Sequence, residues 1–435
     1  MNINEELIRF LDRAVTPFHA VNEIRKILSE HKYTELTEAE QWKLQEGGRY
    51  FVVRNESSII AFRIPRRDFT GFMIGASHSD SPNLRIKKNP EIVSDGYVRL
   101  NVEGYGGMLC APWFDRPLSA AGRVLIRHED RIITRLINID RDLLMIPSLA
   151  IHMNREVNKG HEYNIQKEML PVLGSDQQKG IFMRLIAAEA GVNPEEILGH
   201  DLMLYIREKG RIWGADNEYV SAPHLDDLQC GFGDLMGFLQ AEASDSVPVF
   251  AVFDNEEIGS MTKQGAFSTF LEDCLKRIAS VCGKDTEGYQ MARANSFMIS
   301  ADNAHAVHPA YPEKADPVNR PKINGGIVLK YSVKYTTDGI GTALFREVCE
   351  RAGVPVQNFT NRSDMMGGGT LGNISNSHVS VYSVDIGLPQ LAMHSPYETA
   401  GTQDTEYLAE AMKEFYSCSL GDLGKGNFAL QTYAG

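Results

Sequence analysis

Apolar positions along the chain gather into short continuous runs rather than strict alternation. Runs with strand character occupy Ser58–Ile64, Gly71–Ser77, Asp201–Ile206, Val247–Asp254, Ser296–Asp302, Gly326–Val333 and Val379–Ile386. Continuous runs of this length suit strands buried on both faces. Between several of them the apolar spacing becomes helical, over Leu225–Ala243, Ala266–Ala279 and Thr342–Ala352. Residues 5–30 read as two helices parted near Thr16-Pro17, because proline suits a first helical turn. Strands alternating with helices predict an α/β fold in which helices cover a layered mixed sheet. The middle of the chain departs from this pattern. GYVRLNVEGYGG and GRVLIRHEDRIITRLINID are β-rich, and the second places HED between two strand-like runs, as in a hairpin. The expected organisation is an α/β domain of residues 1–90 and 221–435, split by a β-rich insertion over 91–220.

Composition narrows the class. With 435 residues the chain exceeds the roughly 250–300 residues at which single cores stop growing, which suits two structural units. Hydrophobic content of 43% and charged content of 23% are those of an ordinary globular protein. The 44 Lys+Arg against 57 Asp+Glu leave a net charge of −13, the wrong sign for a protein tracking nucleic-acid phosphates. The six cysteines form no Cys-x-x-Cys pair, which fits reduced thiols better than disulfides or a thiolate zinc site. The start, MNINEELIRFLDRAV, is acidic and amphipathic rather than signal-like, and no run approaches about 18 apolar residues. The expected location is cytoplasmic, without a membrane partner.

Candidate chemistry collects where apolar strands end. His78 and Asp80 follow the first such run, at a spacing that places both on one side of an extended chain. A carboxylate there can orient the imidazole, although a surface histidine is equally compatible. Asp226 and Asp227 open a helical pattern, where capping is the competing explanation. Asp254, Glu256 and Glu257 crowd three acids into four residues after a buried strand. Cations would relieve their repulsion, and so would a solvated turn. In an extended chain the two adjacent glutamates should face apart. Asp302 ends another run, followed by His305 and His308, which suit either ligation or local packing, and His394 follows a further strand and turn. Open α/β sheets bind ligands at the carboxyl ends of their strands, so these segments can converge. Histidines with carboxylates and no cysteine suit two divalent ions such as zinc, manganese or cobalt. Paired ions can activate a water and polarise a carbonyl, and a carboxylate left free of metal can serve as the base.

These segments resemble the aspartyl aminopeptidases, a family of dinuclear zinc exopeptidases. The resemblance rests on His-Ser-Asp-Ser-Pro (78–82), Trp-Phe-Asp-Arg-Pro-Leu (113–118), Leu-Ala-Ile-His (149–152) and Leu-Asp-Asp (225–227). It continues through Phe-Asp-Asn-Glu-Glu-Ile-Gly-Ser (253–260), Ser-Ala-Asp-Asn-Ala-His-Ala-Val-His-Pro (300–309) and Met-His-Ser (393–395), in the family's order. It implies a zinc-exopeptidase-like catalytic domain and an inserted dimerisation domain. By the same resemblance His78, Glu257, Asp302 and His394 are metal ligands, and Asp226 bridges two ions. Asp80 orients His78, and Glu256 is the general base of a two-metal-activated water. His152 on the insertion helps hold the substrate carbonyl in the partner subunit's site, within a homodimer that builds larger shells, commonly dodecamers. The substrates implied are peptides with a free N-terminus ending in Asp or Glu. Lys330, and more weakly Tyr335, would receive that acidic side chain.

Two departures qualify the resemblance. Asp227 stands where the family usually has Asn, and the peptide between it and Asp226 is expected to be cis. The segment Asp-Met-Met-Gly-Gly-Gly-Thr-Leu-Gly (364–372) differs from the family's wording. Its glycines, Gly369 among them, can line the substrate cleft by close backbone approach or simply form a flexible loop. Competing readings are a dimetal aminopeptidase or deacylase of broad or neutral specificity, a non-catalytic peptide-binding shell, and a glycosidase using a carboxylate pair.

Overall fold

A computed structural model describes residues 2–365 and 367–432. Met366, inside the glycine-rich segment, lies outside the described residues. The mixed α/β expectation holds. Among the described residues the largest sheet has nine strands. Its centre is four parallel neighbours in the order Val247–Phe253, Phe72–His78, Phe297–Ala301 and Tyr382–Gly387. Every residue of the first three is buried, which is why they read as unbroken apolar runs. Alternation appears once the two faces are separated. Phe250 and Val252 enter one core, while Val249, Ala251 and Phe253 enter the other.

Helices cover both faces. Leu225–Gln240, Asp404–Tyr416 and Gly339–Ala352 contribute Phe238, Phe415 and Phe345 to the first core. Phe270–Val281 contributes Phe270, Leu275 and Ile278 to the second. The two N-terminal helices run Ile3–Leu11 and Pro17–Glu30, and the Thr16 side chain caps the second by accepting from the His19 N–H.

Within the middle of the chain lies a six-stranded antiparallel sheet with a separate apolar core. Its strands run from Asn83–Ser94 to Ile197–Ile206, so the first spans position 90 and the run at Asp201–Ile206 joins this sheet rather than the larger one. The HED turn is a two-residue hairpin, with His128 opposite Arg131 and Glu129 at φ 55°.

A third sheet of five short strands closes the carboxyl end of the large one: Arg211–Trp213, Tyr219–Ala222, Glu398–Gly401, Pro389–Leu391 and Ala304–His305. Strands of two to four residues carry no readable period, so no pattern announced them. No helix among the described residues is long and apolar enough to cross a membrane.

Candidate metal centre

Three parallel strands of the large sheet deliver acids and an imidazole to one edge. His78 is the last residue of Phe72–His78. Glu256 and Glu257 begin a single 3₁₀ turn just beyond Val247–Phe253, and Asp302 follows Phe297–Ala301. Asp226 enters from the helix Leu225–Gln240, where it and Asp227 depart from helical dihedrals and the peptide joining them is cis. His394 enters from the turn between Pro389–Leu391 and Glu398–Gly401, with φ at 66°.

These side chains converge around Asp226. One carboxylate oxygen lies 3.6 Å from His78 Nε2, and the other lies 3.5 Å from His394 Nε2. Glu257 Oε1 is 3.4 Å from the same His394 nitrogen. The donor atoms form overlapping sets, each spanning no more than 4.8 Å: His78 with Asp226 and Asp302, Asp226 with Glu257 and His394, and His78 with Glu256 and Glu257. The last set corrects the expectation that the adjacent glutamates face apart. That expectation assumed extended chain, whereas the 3₁₀ turn brings both carboxylates toward His78.

Electrostatics marks the cluster as short of positive charge. Burial, aided by neighbouring acids, raises the Glu256 carboxyl to about 7 and the Glu257 carboxyl well above its ordinary value. Burial works against charge on His394, yet Asp226 and Glu257 lift its pKa to about 10. Burial likewise opposes ionisation of Asp226, but the two histidines overcome it and hold the carboxyl below its usual range. Asp226 Oδ1 and Glu257 Oε1 are buried acceptors without a hydrogen-bond partner, an arrangement a divalent cation would satisfy. Oxygen and imidazole donors without sulfur fit zinc, manganese or cobalt.

Asp80 lies beside His78 and also supports the glutamate turn. His78 Nδ1 lies 3.0 Å from the Asp80 backbone carbonyl and 3.5 Å from its carboxylate. A carbonyl only accepts, so Nδ1 carries a proton there, and Nε2 faces Asp226. The Asp80 carboxylate also accepts the N–H groups of Glu256 and Glu257, at 3.0 and 3.2 Å, and the Tyr105 hydroxyl at 2.7 Å. It holds the glutamate turn and flanks the imidazole at 3.5 Å. Asp254 is buried at the strand end and accepts from the Asn255 N–H.

The cluster floors a cleft of about 460 Å³ whose walls include Lys330, Tyr335, Gly368, Gly369, Phe359 and His305. Lys330 is only 4% exposed, and its ammonium donates to the carbonyls of Asp302 and Asn303 at 2.9 and 3.1 Å. Two of its three hydrogens therefore shape the Asp302 turn. A Cβ on Gly369 would meet no atom of the described residues within 4 Å. His305 packs against Phe359, and His308 packs against Tyr311 while accepting from the Ala310 N–H. His152 lies outside this cleft, exposed beside exposed Ile151 and Met153.

Tyr105, Asp385 and Glu398 also support the site, though no motif marks them. Asp385 accepts from the Thr336 N–H and hydroxyl at 2.7 and 2.8 Å and from the Thr370 hydroxyl at 2.5 Å. It thereby ties together the two loops that carry Tyr335 and Gly369. An acid buried inside an apolar strand was the available signal.

Fold and site together define an α/β protein with a carboxylate and imidazole cluster suited to metal-assisted hydrolysis. The profile of the aminopeptidase I zinc metalloproteases (M18) matches residues 10–416, and the chain belongs to that family. It is accordingly a zinc aminopeptidase, a hydrolase acting on peptides. It is similar to the probable M18 family aminopeptidase 2 of Clostridium acetobutylicum, with 47% identity over 95% of this chain and 98% of that one. Among solved structures it resembles a chain in the cryo-EM structure of the Ape4 and Nbr1 complex, with TM-score 0.92, 35% identity, and coverage of 95% and 85%. It also resembles the mApe1 dodecamer of S. cerevisiae, with TM-score 0.82, 29% identity, and coverage of 95% and 96%.

Proposed function

We propose that this enzyme removes N-terminal Asp or Glu from peptides using two divalent ions, with Glu256 as the proton carrier. The observation that carries this is the placement of Asp226, whose two oxygens face two different histidines. His78, Asp226 and Asp302 would hold one ion, and Asp226, Glu257 and His394 the other. When bound, the ions would supply a water acidic enough to act near neutral pH and a polarised scissile carbonyl. A nearby dication would draw the Glu256 carboxyl down from about 7, leaving its oxygen free to take a proton and return it to the departing amine. The substrate's free amine would be received at one ion beside these acids, which suits an exopeptidase.

In this reading Lys330, whose ammonium also lies 3.5 Å from Asp302 Oδ2, meets the substrate carboxylate beside Tyr335 and Gly369. The commitment of two of its hydrogens favours a second reading, a dimetal aminopeptidase of broad or neutral specificity. Rates on Asp-, Glu-, Leu- and Ala-anilides, before and after chelation and metal add-back, separate the two. Activity that survives complete chelation would sink both.

We further read residues 91–220 as an inserted dimerisation region within a catalytic domain of 1–90 and 221–435. Exposed Leu149, Ile151 and Met153 flank His152 there, as expected of a surface that a partner covers. A homodimer building toward a dodecamer would follow the resembling mApe1 assembly, and its cysteines suit the cytoplasm. Mixing His152→Ala chains with Glu256→Gln chains tests the arrangement. A site formed from the intact half of each should restore activity, and two inert variants that stay inert when mixed would refute it.

A further inference from the structure

His394 and Asp226 lie far apart in the chain and reach the cluster on separate turns, so something must fix their separation. His394 sits in a turn where Ala392 and His394 both have positive φ, at 57° and 66°, and the Ser395 N–H donates to the Ala392 carbonyl. Non-glycine residues occupy that region only when their surroundings hold them there. Asp226 sits where the helix Leu225–Gln240 departs from helical geometry. Neither turn is held by regular helix or sheet bonding of its own.

The third sheet joins these turns. Its strand Tyr219–Ala222 leads toward Asp226, and Pro389–Leu391 leads toward His394. Glu398 begins the strand paired between them, directly opposite Ala222. Its side chain is buried, with Oε2 accepting from the Asp226 N–H at 2.9 Å and Oε1 from the His394 N–H at 2.7 Å. One carboxylate thus spans the backbone of both residues. The imidazole is held a second time, with Nδ1 2.7 Å from the Gly107 carbonyl.

We infer that Glu398 is a positioning residue, setting the spacing of the Asp226 carboxylate and the His394 imidazole through their backbone N–H groups. This rests on the proposal that those two side chains bind metal. A carboxylate that only caps a strand would contact one turn, whereas this one ties two. Glutamine at 398 presents an amide NH₂ to one of the N–H groups and breaks that tie. Aspartate keeps the charge but is one methylene too short to span both.

The test titrates metal-free full-length protein with Zn²⁺ in competition with a chromogenic chelator and records the absorption spectrum of the Co²⁺ form. Groups that orient metal ligands typically change affinity about 10–100-fold when replaced. Glu398→Gln and Glu398→Asp should each weaken Zn²⁺ within that range and alter the Co²⁺ bands. The unfolding temperature of the metal-free protein should move far less. Unchanged Zn²⁺ affinity in both variants overturns the inference, as does an affinity loss that tracks lost folded protein with unchanged Co²⁺ bands. Asp226→Asn and His394→Ala serve as controls. If they lose metal while the Glu398 variants keep it, only the role of Glu398 falls. If they retain full occupancy, the metal site and this inference both fall.

Discussion

Glu256 and Glu257 share a turn yet differ in surroundings, and that difference sets their expected behaviour. Glu257 Oε1 is buried 3.4 Å from His394 and lacks a hydrogen-bond partner, so burial disfavours its charge and a metal cation would restore it. Both glutamates line the cleft, and Glu257 alone of the two shares a donor set with Asp226 and His394. Glu256→Gln should retain metal while kcat falls about 10²–10⁴-fold, the usual weight of a proton carrier, and Glu257→Gln should lose metal. Metal analysis beside steady-state kinetics checks the pair, and metal loss from Glu256→Gln would reverse the assignment. The sequence made both acids conspicuous because a buried apolar strand empties into them. It could not show that a 3₁₀ turn carries them, because that depends on Asp80 accepting both N–H groups across the chain. For the same reason the contact between His78 and the Asp80 carbonyl was not legible, since side-chain spacing says nothing about backbone acceptors.

At the scale of elements, the central parallel strands were the most legible part of the molecule. Burial on both faces demands unbroken apolar residues, and few other structures do. Their carboxyl ends therefore marked the site in advance, by the general rule for open sheets. The short strands of the third sheet escaped notice because their pairing is decided by partners distant in sequence. The loops over the cleft depend on a similar distant contact. Asp385 binds Thr336 on one loop and Thr370 on the other, and its buried carboxylate accepts three hydrogen bonds. Asp385→Asn replaces one acceptor oxygen with a donor facing these groups, at a cost of about 1–3 kcal/mol. The loops carrying Tyr335 and Gly369 should loosen, so KM should rise several-fold with a smaller change in kcat. Kinetics on a dipeptide series at fixed metal would check this, and an unchanged KM would mean that the loops are held by other contacts.

For the whole molecule, stability depends on a buried acid that does not line the cleft. Asp234 on the helix Leu225–Gln240 meets Tyr416 at the end of Asp404–Tyr416, beneath Gly75 of the central strand. The Tyr416 hydroxyl donates to its Oδ1 at 2.7 Å, while Oδ2 has no partner. Burial raises the carboxyl to about 8 from an ordinary value near 3.8, and the single hydrogen bond offsets only part of the shift. The folded state therefore binds a proton at Asp234 that the unfolded chain releases near pH 4. Where the native state holds more protons, stability falls as pH rises, so this group withdraws stability steadily between about pH 4 and pH 8 and is level beyond. Asn at 234 keeps the shape and carries no titration. Relative to the parent, Asp234→Asn should gain unfolding temperature progressively from pH 5 to pH 8. Comparing the two proteins at each pH, in the same chelator, cancels every other titrating group, including those of the metal cluster. A difference that stays flat across that range would mean that Asp234 is charged in the folded protein, held by a partner that its present contacts do not supply.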